Sequence, residues 1–197
     1  MKETEIQGNT DLERLLREKL AQSHRVVLTK QPTEAVRKSQ IFRTYMDCPD
    51  HSAFEYRSLS LLAASDRLQH ASRVIEPCLG QRAVVLSDRY FYSCLANLRA
   101  RGYKGDRWIY EIAHHIVRPD ICFFFDVPVE TAVSRVRARP EEKDRYIDID
   151  LQHKLRREYI DICRANGGVL ISTLLPAQEC LRIMENEVRK VMYHEYI

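Results

Sequence analysis

Acidic, basic and aromatic side chains follow directly on an apolar run near the middle of the chain. The run from Ala83 to Leu86 is rich in β-branched residues, which is typical of a strand buried on both faces of a sheet. Ser87, Asp88 and Arg89 come next, so they should lie at the carboxyl edge of that sheet, where open α/β folds bind ligands. We therefore expect Arg89 to grip an anion and Asp88 to orient it or to contact a metal. The alternative is an ordinary salt-bridged strand end.

Three further arginines, Arg67, Arg139 and Arg145, fall near the ends of predicted helices or in a charged loop. Arginine suits phosphate because its planar group donates two parallel hydrogen bonds and stays charged. The charged segment 135–146 follows an apolar strand and its helix, so we expect a mobile basic lid over the same sheet edge. Two alternatives stay open, which are a solvated surface loop for this segment and an exposed ion pair for Asp66 and Arg67.

Strands alternate with helices along the chain, which implies a parallel sheet covered by helices on both sides. A glycine pair, Gly167 and Gly168, marks a turn before the last strand. The predicted helices cover residues 10–22, 34–46, 52–79, 106–117, 128–138, 150–166 and 177–192, and the predicted strands cover residues 25–29, 83–86, 121–127 and 169–172.

Composition restricts the class of protein. The 197 residues suffice for one domain with a sizeable core, and 45% hydrophobic with 30% charged residues is ordinary for a soluble globular chain. The net charge of +3 is too small to make nucleic acid the main partner. We expect no signal peptide and no membrane span, because the N-terminus is polar and the apolar runs are short. Six scattered cysteines without a CxxC pair predict buried small side chains rather than disulfides or metal ligands, and hence a reducing cytoplasm.

The order of these segments resembles the thymidylate kinase family, whose members are P-loop nucleoside monophosphate kinases. Six short motifs occur in the family's order between about Gly8 and Met192, which chance would rarely produce. They are the leucine-rich helix GNTDLERLL from Gly8, the strand and turn VVLTKQP from Val26 (resembling TREP), the helix LLAASDRLQH from Leu61 (resembling LLFAADRxxH), the turn DRY at 88–90 followed by Ser93 and Ala96, the strand end FDVP from Phe125, and the lid end DRY at 144–146.

The resemblance implies a three-layer α/β/α P-loop-kinase-like fold with a parallel sheet. It implies a single domain over residues 1–197, with a lid at about 139–148. It further implies ATP-dependent phosphoryl transfer, with Mg²⁺, to dTMP or a related deoxynucleotide. The implied assembly is a cytoplasmic homodimer formed through the helix at 52–79, without membrane or nucleic-acid partners.

The resemblance also implies roles for individual residues. Arg89 would bind the monophosphate of the acceptor with Asp88 in support, and Arg67 would hydrogen-bond the pyrimidine base. Arg139 and Arg145 would neutralise charge on the transferred phosphoryl group, since phosphoryl transfer depends mostly on positioning and charge neutralisation. No resident metal ligand is implied. The remaining implied nucleotide contacts are Gly8, Thr10, Pro32, Tyr90, Ser93 and Asn97.

The segment that should bind the phosphate donor departs from the family pattern. A P-loop reads G-x-x-x-x-G-K-[ST] after a buried strand. In the candidate beginning at Glu3, Gly8 and Thr10 fit, but Glu3 replaces the first glycine and Asn9 replaces the lysine. The strand that carries the loop is therefore either missing or replaced by residues 3 to 7.

Three departures touch the acceptor side, where Ala63 replaces a stacking phenylalanine, Asn97 a tyrosine and Gln31 the acid of the TREP turn. Two hypotheses for these departures stay open besides an active kinase. The chain is a catalytically weak or inactive homologue that binds a nucleotide or a protein partner, or its true start lies upstream of Met1. A structural protein without a nucleotide ranks last.

Overall fold

The computed structural model describes residues 7–47, 54–143 and 146–194. They divide into two compact units, of which the first contains residues 23–118 and the second joins the N-terminal helix to residues 119–194. Four strands occur within the described ranges, and each pairs in parallel with one other strand. The predicted α/β class with parallel strands is therefore confirmed.

The chain alternates between helices and strands. The elements are α1 (Gln7–Leu20), β1 (Val26–Lys30), α2 (Glu34–Arg37), α3 (Gln40–Asp47), α4 (Tyr56–His70), α5 (Glu76–Gly80), β2 (Val84–Asp88), α6 (Phe91–Ala100), α7 (Trp108–Ala113), β3 (Phe123–Asp126), α8 (Val129–Arg137), α9 (Ile149–Ala165), β4 (Val169–Ser172) and α10 (Ala177–His194). A π-helical turn (Ala71–Ile75) joins α4 to α5, and a 3-10 turn (Pro140–Glu142) follows α8. Every helix among the described residues is too short or too polar to cross a bilayer.

The first unit is built on the parallel pair β1 and β2, in a register that runs from Val26 opposite Val84 to Lys30 opposite Asp88. Main-chain pairing continues past the strands, because the N–H of Gln31 donates to the carbonyl of Asp88 at 3.0 Å. Helix α4 packs against α2 and α6, and α5 packs against β2. The buried apolar residues of this unit include Leu59, Ala64, Ile75, Leu95, Leu98 and Ile109.

The second unit is built on β3 and β4, in a register that runs from Phe123 opposite Val169 to Asp126 opposite Ser172. Helix α9 packs against both strands, α8 packs against α9, and α1 packs against α10. The buried apolar residues of this unit include Leu12, Leu16, Phe124, Ile162, Ile171 and Leu181.

The predicted glycine turn connects α9 to β4. Gly167 has a φ of +64°, a backbone conformation that favours glycine at the end of a helix. The N–H of Gly168 donates to the carbonyl of Cys163 at 2.9 Å, and a Cβ on Gly168 would come within 2.7 Å of the Phe124 ring. Both glycines are therefore required, the first by its backbone and the second by close packing.

Some predicted helix bounds need correction. The helix predicted over 34–46 is two helices, because the Ser39 hydroxyl bonds main-chain groups on both sides of the break, donating to the Val36 carbonyl and accepting from the Phe42 N–H. The helix predicted over 106–117 is the shorter α7, and the helix predicted over 52–79 continues to Gly80 through the π-helical turn. Helix α6 was not predicted from the sequence.

The strand that should carry the P-loop ahead of α1 has no counterpart in either sheet within the described ranges. Gln7 begins α1, so the prediction that residues 3 to 7 replace this strand is wrong for that residue, and residues 3 to 6 lie outside the described part of the chain. In the part of the chain that the structure describes, each sheet has two strands.

Candidate functional site

The carboxyl ends of β1 and β2 carry a close ion pair, because Lys30 Nζ lies 2.6 Å from Asp88 Oδ2. The Asp88 carboxylate is thus already partnered by a lysine that the sequence analysis had not singled out. The two side chains meet because the parallel register sets residue 30 opposite residue 88. The strand end is therefore salt-bridged, as the alternative interpretation expected. Arg89 follows Asp88 directly and is the next cation along the chain.

Arg89 has a left-handed backbone, with a φ of +66°. An L-residue in this region costs about 1–2 kcal/mol, and such strain persists only where the surrounding structure holds it. Here the Ser87 hydroxyl donates to the Arg89 carbonyl at 2.8 Å across the turn. Strained residues cluster at ligand sites, which agrees with the position of Arg89 at the end of a parallel strand.

Arg67 is only 3% exposed, so the interpretation of Asp66 and Arg67 as an exposed ion pair is wrong. Its Nε donates to Gln31 Oε1 at 2.9 Å, and Gln31 itself is 1% exposed. Asp66 faces the same turn and accepts from the Thr33 N–H at 2.8 Å. Helix α4 is therefore fixed to the turn after β1 by two adjacent residues.

Three of the sequence motifs consequently meet through hydrogen bonds in the first unit. The turn after β1 is joined to α4 by Gln31 and Thr33, and to the strand end at Asp88 by the Gln31 main chain. The sequence predicted each motif separately. It did not predict that Gln31 would connect Arg67 to the turn, because Gln31 is distant from Arg67 in the chain.

This junction contains buried donors without acceptors. Within the described residues, Arg67 Nη1, Gln31 Nε2 and Ser60 Oγ are buried without a nitrogen or oxygen partner. The buried Cys94 thiol lies beside two of these residues. Burial raises the pKa of Cys94, and the charge of Arg67 and hydrogen bonds with Ser60 and Arg67 lower it. Unsatisfied buried donors are costly, which makes this cluster a candidate for binding a ligand that carries acceptors.

The other predicted acceptor-side residues make local contacts in the same unit. The Tyr90 hydroxyl donates to the Val117 carbonyl at 2.8 Å. The Asn97 amide, which is 1% exposed, donates to the Ser93 carbonyl one turn earlier in α6 at 3.1 Å. The carbonyl of Pro32 accepts from Arg37 at 2.9 Å. These bonds fix side chains and turns of the first unit.

At the strand ends of the second unit, two arginines from neighbouring helices form the hydrogen bonds. Arg156 on α9 donates two bonds to the carboxylate of Asp126, at 2.7 and 2.8 Å, and these bonds hold the pKa of Asp126 below its usual value. Arg135 donates to the hydroxyl and the carbonyl of Thr173 at 3.2 and 3.0 Å. Arg156 was not predicted from the sequence, and Arg135 was included only as part of the charged segment 135–146, because nothing in a single helix pattern distinguishes either arginine from surface residues.

Of the predicted lid arginines, Arg139 pairs with Glu142 in the same turn at 3.0 Å, and both side chains are mostly buried. Arg145 lies outside the described residues. Gly8 and Thr10 lie in the first turns of α1. The part of the chain that the structure describes contains no group of three His, Cys, Asp or Glu side chains that could hold a metal ion.

Parallel strands with charged side chains at their carboxyl ends are typical of α/β proteins that bind ligands at that edge. A model of the thymidylate kinase family matches residues 6–183. A probable thymidylate kinase from Thermococcus kodakarensis is 33% identical over 170 residues, which cover 84% of this chain and 81% of the relative. One from Pyrococcus horikoshii is 33% identical and covers 96% and 92%, and the thymidylate kinase of Onion yellows phytoplasma is 30% identical and covers 95% and 94%. The chain belongs to the thymidylate kinase family.

Proposed function

We propose that this protein is an ATP-dependent nucleoside monophosphate kinase of the thymidylate kinase type, with dTMP or a related deoxynucleotide as acceptor. The observation that carries the proposal is the junction of three motifs at the strand ends of the first unit. It brings a buried arginine with an unpartnered donor, Arg67, into the same unit as the strained Arg89. The names of the relatives support the same activity.

The acceptor phosphate is proposed to bind at the end of β2. Arg89 donates to its oxygens, and Asp88, held by Lys30, keeps the turn in place. Arg67 donates to the pyrimidine base. In the transfer step an oxygen of the acceptor phosphate attacks the γ-phosphorus of Mg-ATP, the bond to the β-phosphate oxygen breaks, and ADP leaves with the electron pair.

Mg-ATP is the donor substrate, and Mg²⁺ normally binds ATP phosphates with few protein ligands. Arg139 and Arg145 are proposed to neutralise the transferred phosphoryl group. In the structure Arg139 is paired with Glu142, so phosphate oxygens would have to replace this carboxylate. Gly8 and Thr10 are proposed to contact the donor phosphates from the start of α1, where their main-chain N–H groups can bind anions.

The protein is further proposed to act in the cytoplasm as a homodimer. The helical segment from Tyr56 to Gly80 supports the dimer, because Leu61 on α4 is 51% exposed and Leu79 on α5 is 38% exposed. A contiguous exposed apolar patch is typical of a surface that another chain covers, and these two leucines are proposed to belong to such a patch.

One observation favours a second candidate, a catalytically weak or inactive homologue that still binds the acceptor nucleotide. Asn9 stands where a P-loop has lysine, and an amide brings no charge to the β- and γ-phosphates. This candidate expects dTMP binding without tight binding of Mg-ATP. A calorimetric titration with each nucleotide separates the two, since tight Mg-ATP binding would count against an inactive homologue.

The direct test is a coupled assay that follows ADP formation with each pyrimidine monophosphate. The proposal expects turnover with dTMP that depends on Mg²⁺ and falls in the Arg89→Ala variant. An absence of turnover with every pyrimidine monophosphate at high protein concentration would remove the kinase activity from the proposal.

A further inference from the structure

Arg139 and Glu142 form a mostly buried ion pair within one turn of the chain. Arg139 Nη1 lies 3.0 Å from Glu142 Oε2, and the two side chains are only 16% and 9% exposed. Exposed ion pairs contribute little, but the loss of one partner of a buried pair leaves a charge that nothing compensates. The guanidinium that the proposed function assigns to the transferred phosphoryl group is therefore already bonded to a carboxylate of the same chain.

The backbone holds the two groups of this pair together. Arg139 directly precedes the 3-10 turn (Pro140–Glu142), and the Glu142 N–H donates to the Arg139 carbonyl at 3.0 Å. Pro140 begins the turn, and its ring fixes the φ angle there. The turn also packs against α8. The carboxylate consequently stays beside the guanidinium as an intramolecular competitor, which any anionic ligand of Arg139 has to displace.

A carboxylate and a phosphoryl group compete for the same donors of an arginine, because the oxygens of both anions accept from the planar guanidinium group. A phosphoryl group carries up to about two charges and offers three acceptor oxygens, whereas a carboxylate carries one charge. The phosphoryl group can therefore replace Glu142. Part of its binding free energy is then used to break the buried ion pair and to return the carboxylate to water.

We propose that Glu142 is an autoinhibitory residue, which occupies Arg139 in place of the γ-phosphate of the donor and so lowers the affinity of the protein for Mg-ATP. The inference rests on the proposed kinase function, in which Arg139 neutralises the transferred phosphoryl group. It concerns the donor alone, so the affinity for the acceptor at the end of β2 should not depend on Glu142.

The departure in the P-loop increases the importance of this competition. Asn9 stands where a P-loop has lysine, so the charge that this lysine brings to the β- and γ-phosphates is absent. A larger share of charge neutralisation then falls to arginines such as Arg139. The availability of Arg139 should consequently determine how tightly Mg-ATP binds.

The chain offers a matched control on α8. Glu130 lies 3.6 Å from His153, and the side chains of Glu130 and His153 are 76% and 46% exposed. Glu130→Gln therefore removes one negative charge from the same unit and leaves the buried pair intact. Glu142→Gln removes the charge of the competitor but keeps a side chain of nearly the same size, and Glu142→Asp keeps the charge on a shorter side chain.

The test is a calorimetric titration of Mg-ATP, and separately of dTMP, into the wild type and these three variants. Glu142→Gln should bind Mg-ATP about tenfold more tightly than the wild type, because a neutral hydrogen bond is roughly half as strong as a charge-assisted one. Glu142→Asp should lie between the two, and Glu130→Gln should match the wild type. The affinity for dTMP should be equal in all four proteins, and thermal unfolding checks that each is folded.

A gain of affinity distinguishes autoinhibition from a purely structural role, since the loss of a stabilising contact would weaken Mg-ATP binding or leave it unchanged. The proposal is overturned if Glu142→Gln binds Mg-ATP no more tightly than the wild type, or if Glu130→Gln gains as much. It is also overturned if dTMP binds but none of the four proteins binds Mg-ATP.

The coupled assay of ADP formation reports the proposed function separately. If Glu142→Gln gains Mg-ATP affinity and none of the four proteins turns over a pyrimidine monophosphate, the kinase activity fails while the competition between Glu142 and the donor stands. If the wild type turns over dTMP and Glu142→Gln gains no affinity for Mg-ATP, the kinase activity stands and the autoinhibitory role of Glu142 fails.

Discussion

The strand ends of the two units differ in how completely the charged side chains near them are paired. At the end of β3, the carboxylate of Asp126 receives two bonds from Arg156. At the ends of β1 and β2, Lys30 and Asp88 also form an ion pair, but the buried Arg67 of the adjoining helix α4 donates to the neutral amide oxygen of Gln31 and keeps a donor without a partner. The first arrangement is complete without a ligand, whereas the second is not. We infer that the second unit's ion pair is structural and that the first unit's junction is a binding site.

The largest effect is expected from Arg89→Ala. Loss of a charge-assisted hydrogen bond should weaken dTMP binding by about 1.5–3 kcal/mol, which calorimetry measures directly. Arg89→Lys, which keeps the charge but not the planar donor group, should lie between this variant and the wild type. An unchanged affinity in Arg89→Ala would mean that the turn after β2 is only structural.

A second, smaller effect should separate the two strand ends by stability. Arg156→Met leaves the partly buried Asp126 without its partner and should lower the free energy of unfolding by about 1–2 kcal/mol, a value kept low because Arg156 is 39% exposed. The matched change in the first unit, Gln31→Met with Arg67→Met, replaces both partners by apolar groups and should leave the free energy unchanged or raise it. Urea unfolding measures both, and a large loss in the double variant would make the junction structural.

The pH dependence of stability should report the Asp126 pair. Its hydrogen bonds with Arg156 lower the pKa of Asp126, so this stabilisation is present above the unfolded carboxyl pKa, about 3.9, and is lost as the pH falls through the folded pKa. Asp126→Asn should therefore make the free energy of unfolding less dependent on pH below about 4. Equal slopes in variant and wild type would show that Arg156 does not perturb this carboxylate.

The smallest effect concerns the two non-glycine residues with left-handed backbone in the described ranges, Arg82 at a φ of +57° and Arg89 at +66°. Replacement by glycine relieves about 1–2 kcal/mol of strain and loses about 0.5–1 kcal/mol to chain entropy, so each variant should gain about 0.5 kcal/mol in the free energy of unfolding. Only Arg89→Gly should also lose dTMP binding. A loss of binding in Arg82→Gly would contradict the assignment of function to one of these two positions.

The sequence predicted the structure best where the pattern lies within a single helix, strand or turn. The apolar runs predicted the four strands found in the described ranges, and the glycine pair at 167 and 168 predicted the turn before β4. It was less informative where structure depends on residues distant in the chain. Helix α6 was missed because it is buried almost all round and has no amphipathic pattern, and the break at Ser39 depends on hydroxyl bonds that no periodicity encodes.

In the candidate site, too, contacts between residues distant in the chain could not be predicted. The motif order pointed to Arg67 and Arg89 as separate cations, but the Gln31 contact depends on how β1 and α4 pack. The burial of Arg67 could not be foreseen either, since arginine inside a helix is usually exposed. From the sequence, Gln31 was noted only as a departure from the acid of the family's TREP turn, on the acceptor side.

The most direct test of the account is the affinity for dTMP of two variants measured side by side with the wild type. Because the acceptor nucleotide is assigned to the strand ends of the first unit and not to those of the second, Arg89→Ala should lose affinity for dTMP while Arg156→Met keeps it. The account is contradicted if Arg156→Met loses dTMP affinity as strongly as Arg89→Ala, or if neither variant differs from a wild type that binds.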